Sequence, residues 1–152
     1  TLDIEIPSMM EETAAEDVKK VELSEGSEHI VKMLNSGEGG QMIFEPAVIK
    51  VSVGDTIHFK ATDAAHNSVS VDGMVPAGAA SWASQLSQDI SITLDTEGVY
   101  VYQCDPHLIM AMVGVIQVGE AVNMDEISSA ASSYSANFLM NNDRLQGYLN
   151  QL

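Results

Sequence analysis

The sequence of 152 residues lacks several features that define common protein classes. With a single cysteine, it cannot form an intrachain disulfide framework. No apolar run reaches about 18 residues, so no transmembrane helix is predicted. A secretory signal peptide is also missing, although an exported protein would have lost it on maturation. Aromatic residues make up only 5% of the chain. The length fits one domain with a hydrophobic core and some appended structure.

Positive charge is scarce as well. The chain has 6 lysine and arginine residues against 22 aspartate and glutamate residues, which gives a formal net charge of −16 at pH 7. Such a surface repels phosphate groups, so we predict binding neither to nucleic acid nor to anionic membranes. Solubility or a salty habitat is the simplest explanation of this negative charge. The more specific alternative is that the charge attracts a basic partner.

Composition divides the chain into three predicted regions. Residues 1–27 form an acidic N-terminal extension, in which 14–21 could at most make a marginal helix. Residues 28–120 contain short β-rich runs separated by turn residues. Residues 121–152 are predicted to be helical and to form a C-terminal extension packed on the central region.

The central region predicts a mainly β fold. At least seven short strands with turns between them are typical of a Greek-key β-sandwich. Purely parallel sheets would need crossover helices, which this region does not suggest. The predicted strands span residues 29–34, 42–44, 48–53, 56–60, 68–71, 90–94, 99–103 and 113–118.

Two C-terminal helices are predicted to pack on the sandwich. Asn123 or Asp125 could cap the first, which would run through Ile127 and Ala130. The second is predicted within residues 134–152, where apolar residues recur at spacings that place them on one helical face. Those residues are Phe138, Leu145, Tyr148, Leu149 and Leu152.

One short loop concentrates the residues that carry chemistry. Cys104 is followed by His107 at i+3, and then by Met110 and Met112 at i+6 and i+8. Copper that cycles between Cu(I) and Cu(II) favours two histidines and a cysteine in a plane, with a weak axial methionine. The second histidine is expected at His66, in a loop between two strands. The pattern indicates a blue-copper electron carrier.

Other interpretations of these residues are weaker. Structural zinc usually has four cysteine or histidine ligands, and this chain offers one cysteine. A nucleophilic Cys104–His107 pair would need an orienting acid or amide and an oxyanion hole, and no such signature flanks the cysteine. The chain is therefore not predicted to be an enzyme. His29 and His58 lie in predicted strands and are expected to be ordinary sheet or surface residues.

The chain resembles the cupredoxins, and pseudoazurins in particular, over roughly residues 28–131. The resemblance rests on Met-Leu-Asn at 33–35, Met-Ile-Phe-Glu-Pro at 42–46, Val-Gly-Asp-Thr at 53–56, His-Asn at 66–67, Cys-x-Pro-His-x-x-Met-x-Met at 104–112 and Asn-Met-Asp-Glu-Ile at 123–127. It implies a cupredoxin-like sandwich that binds one type 1 copper ion. The implied ligands are His66, Cys104, His107 and Met112, with Met110 as the rival axial ligand.

The resemblance also implies a surface for electron transfer. Met110 would join Met42, Pro106 and Ala111 in an apolar patch around the exposed edge of His107. Asn67 is expected to hold the loops around the copper through hydrogen bonds. The implied function is a soluble, periplasmic carrier of single electrons, and the alternative is a copper-binding or copper-delivery protein.

The expected partners are redox proteins. The family implies copper nitrite reductase or nitrous oxide reductase, and a cytochrome c is a further candidate. Pseudoazurins typically surround the apolar patch with lysines, but the corresponding positions here are uncharged. These positions are Ser36, Ala64, the stretch 81–85 and Gln103. The sequence therefore predicts a docking face that does not attract the family's usual acidic partners.

Overall fold

The structure is a computed structural model that describes residues 19–152. Residues 1–18, with most of the marginal helix predicted at 14–21, lie outside the described part of the chain. The described residues form two four-stranded sheets followed by two helices. The strands are β1 (Glu28–Gly37), β2 (Gly40–Glu45), β3 (Val48–Val51), β4 (Thr56–Lys60), β5 (Val69–Ser70), β6 (Ile90–Thr93), β7 (Gly98–Gln103) and β8 (Val113–Val118).

The two sheets confirm the predicted mainly β sandwich. One sheet has the order β2-β1-β4-β6 and the other β3-β8-β7-β5. Both are mixed, because β1 pairs in parallel with β4 and β3 pairs in parallel with β8. No crossover helix is needed, since the chain passes to the opposite sheet between the members of each parallel pair.

Strand limits follow the prediction closely, with differences at the turns. The prediction for β4 and β8 matches the structure, whereas β1 continues past residue 34 to Gly37. Gly37 pairs with Gly40, so Glu38 and Gly39 form the hairpin turn. The polar pair Asn35-Ser36 resembled a turn in the sequence, but antiparallel pairing with β2 keeps it extended. The strand predicted at 48–53 stops at Val51.

Five of the eight aromatic residues lie in the core between the two sheets. Phe44, Phe59 and Tyr102 meet edge to face, with ring centroids 4.7 and 4.9 Å from the tyrosine. Trp82 stacks on Phe59 at 6.0 Å. Tyr102 lies opposite Gly114 on β8, where an added Cβ would come within 2.2 Å of its ring. This cluster forms the core beneath the loops that follow β4 and β7.

The two predicted C-terminal helices are present, α1 (Met124–Ser135) and α2 (Arg144–Leu149). The second is much shorter than the predicted 134–152. The sequence between the helices is rich in asparagine, and Asn141 adopts a left-handed conformation with φ of 57°, which interrupts a helix. Phe138 is nevertheless buried with the helices in a second core cluster.

Asn123 occupies the N-cap position of α1 but does not cap the helix with its side chain. Its amide instead exchanges two hydrogen bonds with the backbone of Val99, at 2.7 and 2.9 Å. The helix is thereby joined to β7. No helix in the described residues is long and apolar enough to cross a membrane.

The described end of the acidic extension runs along the sandwich. Leu23 pairs with Lys50 of β3, and the Val21 N–H donates to the carbonyl oxygen of Gln151 at 2.8 Å. Residues 19–21 are not helical. The division of the chain into 1–27, 28–120 and 121–152 stays a prediction.

Candidate metal centre

Two loops at one end of the sandwich bring three donor side chains together. His66 lies in the connection between β4 and β5, and Cys104 directly follows β7. His107 lies in a short 3₁₀ segment, Asp105–Met110, with Pro106 in its first turn. The proline fixes the backbone at the start of this turn. The His107 N–H donates to the Cys104 carbonyl oxygen at 3.2 Å, so the two side chains leave the turn close together.

The donor atoms form a compact triangle. Nδ1 of His66 lies 3.1 Å from Nδ1 of His107, and the Cys104 Sγ lies 3.7 and 3.4 Å from these two nitrogens. A point equidistant from the three atoms is about 2 Å from each, which is close to metal–imidazole bond lengths. Among residues 19–152, this is the one group of three histidine, cysteine or acidic side chains with metal-binding geometry. The donor set therefore fits a copper ion.

Asn35 orients the ring of His66. Its side-chain Oδ1 lies 2.7 Å from Nε2 of His66, and an amide oxygen can only accept a hydrogen bond. Nε2 therefore carries the proton, and the unprotonated Nδ1 faces Cys104 and His107. Burial lowers the pKa of His66, and the nearby His107 acts in the same direction, which favours the neutral ring that metal binding requires.

The sequence alone gives no sign that Asn35 contributes to the site. Asn35 appeared only as part of the Met-Leu-Asn motif and as the expected end of a strand. Its amide reaches the site because β1 continues past it, while its own backbone N–H is held by the Asp63 carboxylate at 2.7 Å. No local signal relates Asn35 to His66, since 31 positions separate the two residues.

Cys104 is fully buried. Burial raises the pKa of its thiol, while the backbone N–H groups of Asn67 and His107 act in the opposite direction by favouring the thiolate. A bound cation would stabilise the thiolate further, because metal binding requires deprotonation of the sulfur. Because the thiol is buried, it can bind a metal ion held between the loops but is not accessible to a substrate in solvent.

Asn67 joins the two loops, as the sequence analysis expected. Its Oδ1 accepts the Asp105 N–H at 2.8 Å, and its Nδ2 donates to the Asp105 carboxylate at 3.2 Å. The same carboxylate accepts a hydrogen bond from Gln103 at 2.9 Å, and the Tyr134 hydroxyl of α1 donates to Gln103 at 2.6 Å. A continuous set of hydrogen bonds therefore ties the His66 loop to the Cys104 loop and to α1.

The two methionines differ in burial. Met112 is fully buried in the same core cluster as Cys104, whereas Met110 is half-buried. The Met112 N–H donates to the His107 carbonyl oxygen at 3.2 Å, and its own carbonyl accepts the Cys104 N–H at 2.9 Å. Met112 is thus held by its backbone against two of the donor residues.

The other two histidines lie away from this triangle. His29 is buried and 2.9 Å from the Asp55 carboxylate. His58 contacts Ser91 at 2.6 Å and Glu28 at 2.7 Å, on the outer face of its sheet. Both lie in strands, as expected, although His29 is a buried pairing residue rather than a surface residue.

Comparison with known proteins places this site in a family. A model of copper-binding proteins, the plastocyanin/azurin family, matches residues 31–119, which include every donor described above. The chain belongs to the cupredoxins. A pseudoazurin from Methylorubrum extorquens is 42% identical over 102 residues, covering 67% of this chain and 68% of the relative. A pseudoazurin from Paracoccus pantotrophus is 41% identical over 103 residues, with coverages of 67% and 71%.

Solved structures agree with this assignment. The crystal structure of native pseudoazurin from Hyphomicrobium denitrificans superposes with a TM-score of 0.74 at 39% identity. The superposition covers 82% of this cupredoxin and 98% of that chain. The resemblance to pseudoazurins inferred from short motifs is therefore confirmed.

The surface around His107 differs from the predicted apolar patch. Ala111 is fully buried against the helices and cannot contribute to it, because its left-handed backbone turns the chain inward. Ile109 is instead 51% exposed, and the Leu139 N–H donates to its carbonyl oxygen at 2.7 Å. Leu139 and Met140 are 77% and 48% exposed. We call Pro106, Ile109, Met110, Leu139 and Met140 the apolar rim of this cupredoxin.

The apolar rim could not be read from sequence spacing. The sequence predicts a helix at Leu139 and Met140. The two residues reach the loop at 104–112, here called the metal loop, only because the connection between α1 and α2 folds back on it. Met42, expected in the patch, is half-buried and packs against the first core cluster.

Proposed function

We propose that this cupredoxin carries single electrons between redox proteins through one type 1 copper ion held by His66, Cys104, His107 and Met112. The observation that carries the proposal is the convergence of two imidazole Nδ1 atoms and one thiol within 3.7 Å of one another. Bound copper would supply a one-electron couple between Cu(I) and Cu(II).

The protein residues hold this donor set in one geometry. Asn35 fixes the tautomer of His66, and Asn67 fixes the loop of Cys104 through Asp105. Because these contacts involve groups other than the metal-facing atoms, they would hold the donors in place in both oxidation states of a bound ion. A site that hardly moves is suited to rapid electron exchange rather than to metal release.

Met112 is proposed as the axial ligand. Its complete burial in the same core cluster as Cys104 supports this role, because packing would hold its thioether in place and away from water. Met110 is half-buried and its segment adjoins the apolar rim, which fits a role at the surface.

Electrons are proposed to enter and leave through His107. Its ring is half-buried, whereas His66 and Cys104 are fully buried, so His107 is the donor nearest to solvent. The apolar rim beside it offers a small contact area, which suits brief docking. No substrate is transformed, and the protein is accordingly proposed not to be an enzyme.

We place the protein in the periplasm, with redox proteins as partners. Ser36 and Ala64, at positions where pseudoazurins typically carry docking lysines, are exposed and uncharged. A partner with a basic or neutral face, such as a cytochrome c, is therefore favoured over an acidic copper nitrite reductase or nitrous oxide reductase.

Copper titration tests the proposal. Adding Cu(II) to the metal-free protein should load one ion per chain and produce intense visible charge-transfer absorption from the Cys104 thiolate. Cys104→Ser should abolish that absorption, because oxygen is a harder ligand and the serine hydroxyl is not deprotonated at neutral pH. His58→Asn serves as the control, since His58 lies outside the site, and should keep the full spectrum.

Two results would contradict the proposal. Full visible absorption in Cys104→Ser would remove the cysteine from the ligand set. Voltammetry that shows oxidation with release of the metal, instead of reversible one-electron cycling, would indicate copper delivery rather than electron transfer.

A further inference from the structure

We propose that Arg144 is a positioning residue for the copper site, fixing the loop that leads into Met112 and placing a positive charge beside it. The inference rests on the proposed function for its redox consequence, but its structural part concerns the protein alone. Arg144 is the only arginine in the sequence. It opens α2, 37 positions after the last histidine of the donor set.

A single nitrogen of Arg144 contacts four carbonyl oxygens. Its Nη1 donates toward the carbonyl oxygens of Gln41 and Met42 at 3.3 and 3.1 Å. It also donates toward those of Met110 and Ala111 at 3.4 and 3.3 Å. The guanidinium therefore joins the start of β2 to the end of the metal loop, two segments about 70 residues apart in sequence.

Both segments have an unusual backbone at this point. Met42 and Ala111 have φ of 51° and 59°, in the left-handed region that residues with a side chain adopt at a cost. Their carbonyl oxygens are among the four that face Arg144. Gly40 leaves room beside them, since a Cβ added there would lie 3.2 Å from Nη2 of Arg144. The guanidinium thus offsets the backbone strain at Met42 and Ala111.

Neighbouring residues bind the same loop. The Asn141 amide donates to the Met110 carbonyl oxygen at 3.2 Å. The backbone N–H groups of Leu139 and Met140 donate to the Ile109 carbonyl oxygen at 2.7 and 3.3 Å. The carbonyls of Ile109, Met110 and Ala111 are therefore all held by the connection between the helices and by Arg144.

The positive charge of Arg144 should affect the reduction potential of a bound copper ion. Within residues 19–152, carbonyl oxygens rather than a carboxylate surround Nη1 of this half-buried cation. A positive charge that is not neutralised disfavours the more highly charged oxidised site. Arg144 should therefore raise the reduction potential as well as hold the loop.

The test compares Arg144→Gln and Arg144→Lys with Leu149→Ala in the full-length chain. Leu149 is buried in the same short helix, so its truncation weakens helix packing without removing the guanidinium. Hydrogen exchange is measured first on the copper-free proteins, at the amides of Ala111 and Met112. Arg144→Gln should speed their exchange about tenfold more than that of the β8 amides, as selective local opening requires.

The copper-loaded proteins supply the second measurement. Arg144→Gln should lower the reduction potential and alter the visible spectrum, while Arg144→Lys, which keeps the charge, should remain closer to the original potential. Leu149→Ala should lower thermal stability but leave the potential unchanged.

Two outcomes would overturn the inference. In the first, hydrogen exchange at Ala111 and Met112, relative to the β8 amides, is no faster in Arg144→Gln than in Leu149→Ala. In the second, the reduction potential of Arg144→Gln equals that of the original chain. The exchange measurement needs no metal. If the original chain failed to bind copper, the proposed function would be wrong, but hydrogen exchange in the copper-free proteins would still test whether Arg144 holds the loop.

Discussion

At the scale of single residues, the site depends on which atom of each side chain faces inward. His66 can present Nδ1 to a metal because Asn35 occupies its Nε2. Burial raises the pKa of the Cys104 thiol, while the backbone N–H groups of Asn67 and His107 act in the opposite direction by favouring the thiolate. The donor types came from the sequence, but their orientation depends on residues that carry no metal-binding signature of their own.

The two methionines provide a prediction at this scale. Met112→Gln should lower the reduction potential and change the visible spectrum, because a harder oxygen donor stabilises Cu(II). Met110→Gln is the matched substitution two positions earlier, at a half-buried residue, and should mainly change docking with partners. Voltammetry and absorption spectra of both variants decide the question, and the reverse pattern would make Met110 the axial ligand.

At the scale of elements, buried polar contacts fix how strands and turns meet. Asp55 follows the turn after β3, and its carboxylate accepts a hydrogen bond from the Ser52 N–H at 3.0 Å. The same carboxylate lies 2.9 Å from Nε2 of His29 on β1. Asp55 therefore joins the turn to the neighbouring strand in a position shielded from water.

The contacts of Asp55 predict an acid-dependent stability. The hydrogen bond with His29, followed by that from Ser52, lowers the pKa of Asp55 below its usual 3.8. A lowered carboxyl pKa contributes stability above the unfolded pKa and loses it as the pH falls through the folded value. Asp55→Asn should therefore cost roughly 2 kcal/mol at pH 7.

Urea unfolding of the original chain and Asp55→Asn across pH 3 to 7 checks this expectation. The difference in the free energy of unfolding between the two proteins should shrink below about pH 4. Asp89→Asn is the control, since Asp89 is exposed and pairs with Lys60 at 3.5 Å on the surface. It should change stability by less than about 1 kcal/mol. A difference for Asp55→Asn that does not vary with pH would contradict the assigned cause.

At the scale of the whole molecule, charge and apolar surface act in different places. The net charge of −16 belongs to the entire chain, whereas the apolar rim beside His107 carries no charged side chain. Long-range approach should therefore depend on overall charge, while the final contact depends on apolar packing. Salt separates the two contributions because it screens only the first.

Electron-transfer rates across a salt series test this view. Transfer to a basic cytochrome should slow as salt rises, because screening weakens the attraction. Transfer to an acidic copper reductase should be slow at low salt and should speed up as salt is added, because salt screens the repulsion between the two acidic proteins. The screening length is roughly 8 Å at 0.15 M ionic strength. Faster transfer to the acidic protein at low salt would show that local contacts outweigh the overall charge.

The sequence by itself determined the donor types and the fold class. Cys104, His107 and the two methionines share one short loop, so their proximity is a property of local spacing, and strand periodicity with frequent turns determined the sandwich. Both signals are short in range. The spacing of these residues is enough to indicate copper, although it left the choice between Met110 and Met112 open.

Only the tertiary structure decided which distant residues support that loop. Asn35 reaches His66, Arg144 reaches Met42 and Ala111, and Leu139 reaches Ile109 through contacts between separate elements. Ala111 is buried for the same reason, since the helices cover it. These contacts arise because the C-terminal connection folds back on the metal loop, and no pattern along the chain encodes that approach.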